Sequence, residues 1–60
     1  MKRITTYLGP KVNVTVWYSA DLEEYEVRVV GKPNATYYTD DKDDAMATAR
    51  TLAGVGNGQN

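Results

Sequence analysis

"VNVTVWYSADLEEYEVRVV", residues 12–30, decides the fold. Val12, Val14, Val16 and Tyr18 alternate with Asn13, Thr15 and Trp17. A period of two in β-branched and aromatic residues is the mark of a strand, here 12–19. In residues 25–30, Tyr25, Val27 and Val29 alternate with Glu26, Arg28 and Val30, which makes a second strand. The polar "ADLEE" between them connects an antiparallel hairpin. Pairing Tyr18 with Tyr25 sets Val16 against Val27 and Val14 against Val29. That register gathers the branched residues on one face, and a one-residue slip would send a whole strand's set to the other side.

Working outward, "GKPN", residues 31–34, reads as a turn and "ATYYT" as a returning strand. Across that turn Tyr38 is expected inward and Tyr37 outward. "RITTYL", residues 3–8, is a first strand ended by Gly9-Pro10. A three-residue loop that pairs Leu8 with Val12 points Ile4 and Leu8 at the core. From Lys42 to Ala53 the apolar residues Ala45, Met46, Ala49, Leu52 and Ala53 fill one arc of a helix. Asp41 is placed to cap it, Asp44 to reach back from the third helical position, and Gly54 to stop it. The expected architecture is a two-layer α+β domain. It has an antiparallel β-meander of three or four strands, with one C-terminal helix packed on one face. The expected core is Val12, Val14, Val16, Val27, Val29, Met46 and Leu52. Residues 1–55 form the one domain, and 56–60 a flexible polar tail.

The four aspartates at 40, 41, 43 and 44 suggest a calcium loop, but the spacing fails. Counted from Asp41, the sixth position is Met46 where glycine is needed, and the twelfth is Leu52 where glutamate is needed. Capping and the helix dipole account for them instead.

With no cysteine and no histidine among 60 residues, disulfides and the usual zinc sites are excluded. No cofactor and no metal is expected. The same absence, with no glycine-rich phosphate loop and no serine on an elbow, argues against an enzyme. A chain this short buries only about 60% of its unfolded surface. The aids left to it are good packing or self-association, so a homodimer is one expectation. Seven basic residues face eight acidic ones, too even a balance for a protein built mainly to neutralise phosphates. "MKRITTYLG" has no apolar run of signal-peptide length and no stretch is long enough for a membrane span, so a cytoplasmic location and no membrane partner are expected. Without export, the two N-x-T triplets at Asn13 and Asn34 read as chance.

One helix leaves one face of the sheet bare. Alternation assigns Arg3, Tyr7, Lys11, Trp17, Arg28, Val30 and Tyr37 to it, with Lys32, Glu24 and Glu26, and sets Arg3 opposite Trp17. Aromatics with arginine match the composition of interface hot spots. These seven residues are therefore the candidate partner-binding set. The expectation is a small non-catalytic domain that binds a protein, or itself, as regulators and inhibitors of phages and mobile elements do. The alternative is a module that stacks single-stranded nucleic acid on the same aromatics.

Over residues 16–53, strands followed by Tyr-Thr, an acidic cap and an alanine-spaced helix are loosely similar to the arm-type DNA-binding domains of phage integrases. That resemblance implies a sheet that docks on DNA. Those domains carry basic sheets, whereas this chain is nearly neutral.

Overall fold

The computed structural model describes residues 1–55; the tail expected at 56–60 lies outside them. Four strands, β1 (Lys2–Leu8), β2 (Asn13–Ser19), β3 (Glu24–Val29) and β4 (Lys32–Thr39), precede one helix, α1 (Lys42–Ala53). The sheet is antiparallel in the order β1-β2-β3-β4, with α1 across one face, so the two-layer α+β fold is as expected. Among the described residues, no helix is long and apolar enough to cross a membrane.

The central hairpin has the register that valine alternation demands. Val14 pairs with Val29, Val16 with Val27, and Tyr18 with Tyr25. The two tyrosine rings lie 4.8 Å apart, tilted by 48°. Val14, Val16, Val27 and Val29 meet Ala45, Ala49 and Ala53 from the helix, and these seven side chains are the buried core. No fully buried side chain is larger than valine. Ile4, Tyr7, Val12, Tyr25, Met46 and Val55 pack around this centre, partly buried. Leu52, expected in the core, is exposed, because the alanine stripe points at the sheet and Leu52 flanks it on the side away from Met46.

The helix ends follow the sequence closely. The Asp41 carboxylate accepts the Asp44 N–H at 3.2 Å, and Gly54 caps the C-terminus in the left-handed region at φ 76°. The reciprocal half of the cap does not form. Asp41 N–H donates to Thr39 Oγ1, and Asp44 is engaged elsewhere.

Both outer strands carry bulges, and these overturn the expected sides of Tyr7, Leu8, Tyr37 and Tyr38 and the expected length of the β1–β2 connection. In β1, Arg3 pairs with Trp17 but Thr5 pairs with Val16, so Ile4 is an extra residue. Beyond it the register moves by one, Leu8 meets Asn13, and the connection to β2 has four residues where three were expected. Tyr7 therefore joins Val14 on the helix face and Leu8 turns outward, 72% exposed. In β4, Lys32 pairs with Val29 across a two-residue turn, whereas Tyr37 pairs with Val27. The single residue Arg28 thus faces Pro33–Thr36, and Thr36 Oγ1 donates to the Pro33 carbonyl at 3.1 Å inside that bulge. An odd number of extra residues inverts the alternation. Tyr37 lies on the helix face and Tyr38 on the bare one, opposite to expectation.

The β1–β2 connection is held by close backbone contact. A Cβ on Gly9 would fall 1.9 Å from the Ala53 carbonyl oxygen and 2.5 Å from that of Val12. Both are backbone atoms, so Gly9→Ala should lower stability by at least about 2 kcal/mol, read as a shift of the urea midpoint. At Gly54 an added Cβ would meet only the Pro10 ring, at an ordinary 3.8 Å, so Gly54→Ala strains only the left-handed backbone and should cost about 1 kcal/mol.

Candidate protein-interaction face

The face opposite the helix is built by β2 and β3. Their alternation leaves Asn13, Thr15, Trp17 and Ser19, then Glu24, Glu26 and Arg28, pointing away from α1. One row crosses all four strands: Arg3, Trp17, Glu26 and Tyr38 are neighbours in register. The next row sets Arg28 beside Thr15, and Thr15 beside Thr6.

The centre of this face is a fixed charged stack. Arg28 lies over the Trp17 ring, its guanidinium carbon 5.2 Å from the ring centre. Its Nε and Nη2 both donate to Glu26 Oε1, at 3.0 and 2.7 Å. Glu26 is only 7% exposed, whereas the Arg28 side chain keeps 45% of its surface in water. A buried carboxylate without its partner is costly, so Glu26 holds Arg28 in place. Arg28 Nη2 also approaches the Met1 sulfur at 3.3 Å, which brings the N-terminus onto this face.

Beside the stack lies an open hollow of about 480 Å³. Its walls are Trp17, Val30, Pro33 and Tyr38, and its floor includes Thr15, Glu26 and Arg28. The β4 bulge makes the far wall. Met1, Leu8, Val30 and Tyr38 are each more than half exposed, and all four belong to this side of the sheet. Large apolar residues on a surface usually stand singly; here four share one side of the sheet.

Of the seven candidate residues, Arg3, Trp17, Arg28 and Val30 come together here. Tyr7 does not: it packs on the core, and its hydroxyl accepts from Arg50 Nη1 at 3.4 Å. Tyr37 does not either: its hydroxyl donates to Asp44 Oδ2 at 2.6 Å on the helix side. Lys11 sits exposed in the β1–β2 connection, six residues and about 20 Å of strand from Trp17. Lys32, opposite Val29, is also off this face. With Lys11 and Lys32 off this face, its side-chain charges balance, Arg3 and Arg28 against Glu24 and Glu26. Alternation alone missed Leu8 and Tyr38, because each follows a bulge, and Met1, because it precedes the first strand. Pro33, a residue that central strands exclude, was the one sequence signal of irregularity in β4.

Compared with known proteins, the chain matches no family model, no curated protein and no solved structure. The site is therefore read from its own geometry.

Tyr37 supplies a check on which side each β4 tyrosine occupies. Its phenol is held above the ordinary value of 10.0 by its hydrogen bond to Asp44, then by desolvation and by the charges of Asp44 and Asp41. A value raised in the folded state means stability that is complete below about pH 10 and fades as Tyr37 ionises at higher pH. Absorbance titration at 295 nm should show one of the five tyrosines ionising late, and Asp44→Asn should return it toward its neighbours. An unchanged profile in Asp44→Asn would contradict the contact.

Proposed function

We propose that this chain is a small non-catalytic protein-interaction domain, a regulator or inhibitor in kind, that acts in the cytoplasm and binds a protein through the sheet face opposite its helix. What supports the reading is one grouping: exposed Met1, Val30 and Tyr38 lie around Trp17 and an arginine locked by a buried glutamate, with exposed Leu8 farther along the same side. Large apolar groups around a pre-ordered Trp–Arg pair are the make-up of an interface centre, where little entropy is lost on docking. The hollow is open, and its polar floor is already paired within the chain, which suits an inserted side chain better than a reacting substrate.

A nucleic-acid partner has less support. Stacking on Trp17 and Tyr38 is compatible with bases, but phosphate binding draws on several free cations, and this face offers two arginines against two glutamates.

Adjacent tyrosines on opposite faces give the test. A photo-crosslinking amino acid placed at Tyr38 should capture protein in the cell of origin, and the same group at Tyr37 should not. Trp17→Ala should remove the capture while far-UV circular dichroism stays unchanged. Equal capture from both positions, or none from position 38, would overturn the reading.

A further inference from the structure

We infer that the occupant of this face is a second copy of the chain, packed sheet to sheet about a twofold axis along the row Arg3–Trp17–Glu26–Tyr38. The inference rests on the proposal that this face is an interface, and it names what covers it.

Charge is the first ground. The face carries Arg3 and Arg28 against Glu24 and Glu26, so two copies meet without net repulsion. Along β3 the order is Glu24, Glu26, Arg28. A twofold axis through Glu26 and across the strands reverses that order in the partner. Arg28 of each copy then meets Glu24 of the other, twice per pair. Arg28 Nη1 has no hydrogen bond among the described residues and is free for this contact. Glu26, on the axis, is already neutralised by its own Arg28. Trp17, with its own Arg28 over the ring, lies on the axis beside its symmetry mate. Arg3, on the same axis at the β1 rim, faces its own mate where both guanidinium groups can turn to solvent.

Area is the second ground. The molecule measures 34 × 23 × 15 Å. The rectangle that bounds its broad face is roughly 800 Å², so the face can at most match the share that one partner gives to a standard interface. The pair also supplies what the monomer lacks. Its fully buried side chains are valine and smaller, whereas Met1, Leu8, Trp17, Val30 and Tyr38 lie at least partly in water. Chains of this length without disulfide or metal gain stability by such association.

The other routes to self-association are closed. The β1 edge is broken by the bulge at Ile4, and the β4 edge by Pro33 and its longer bulge, so neither presents a continuous ladder. On the helix side Asp40, Asp41, Asp43 and Asp44 repel a second copy. Face to face, these acidic clusters lie on the two outer surfaces with both sheets between them, beyond the screening length of about 8–10 Å.

Sedimentation equilibrium from about 5 µM to 0.5 mM tests this. The mass should rise to twice the 6.7 kDa of one chain. Glu24→Arg and Tyr38→Asp, both at the surface of the sheet, should each weaken association at least tenfold while circular dichroism stays native. Arg28→Glu should do the same. An equimolar mixture of Arg28→Glu and Glu24→Arg should recover the pair, because the reversed charges then complement at both contacts. If Arg28→Glu fails to fold, having left Glu26 unpartnered, the other two variants decide. A constant 6.7 kDa mass, or variants that associate as tightly as the parent, overturns the inference. A monomeric mass with crosslinks from position 38 to other proteins leaves the face an interface and removes the second copy. A monomeric mass with no crosslinks removes both.

Discussion

The close approach of three alanines to four valines governs this molecule. Ala45, Ala49 and Ala53 let the helix settle low on β2 and β3, and only valines fit beneath it. Nothing larger enters that contact, so every bulky side chain is displaced to the flanks or to the far side of the sheet. The helix flanks are then tied by polar groups at either edge. Arg50 reaches Tyr7 on β1, and Asp44 takes the Tyr37 hydroxyl on β4. A thin core thus creates, by exclusion, both the tethers that hold the helix in place and the aromatic surface behind it.

On that surface, stability and the proposed recognition draw on the same residues. The Arg28–Glu26 pair is half in water on the arginine side, so as an isolated contact it stabilises the fold only modestly. Its larger effect is geometric. Glu26 cannot stay buried and charged alone, and Trp17 offers a ring to lie on, so Arg28 has one place to be. A guanidinium ordered before any partner arrives keeps its binding free energy for the partner. The neighbouring threonines, Thr6 and Thr15, approach at 3.5 Å and make a polar floor that stays compatible with water until the face is covered.

Elements dictated by local pattern were legible in the sequence. The valine alternation fixed the central hairpin, and helix, cap and stop fell at Lys42–Ala53, Asp41 and Gly54 as the residues implied. Trp17, Arg28, Arg3 and Val30 were placed on the bare face by the same alternation. What escaped was parity in the outer strands. A β-bulge has no strong signature of its own, and each one inverts every assignment beyond it, which is how Tyr7, Tyr37, Tyr38 and Leu8 changed sides. The β1–β2 connection lengthened by the same register shift. The close approach of Gly9 to Ala53, residues 44 positions apart, is a contact that no local pattern encodes. Leu52 shows the same limit from the helix: its arc was right, but the tilt of the stripe depends on where the sheet lies.

The irregular stretch at Pro33–Thr36 has an evolutionary consequence. It sits at an edge, outside the buried core, and decides which of two consecutive phenols anchors the helix and which looks outward. Gain or loss of one codon there would exchange their duties at a stroke while the interior stayed as it is. Such a lineage can therefore redraw the surface proposed for recognition by small insertions and deletions, with the buried residues free to remain under a separate and slower selection.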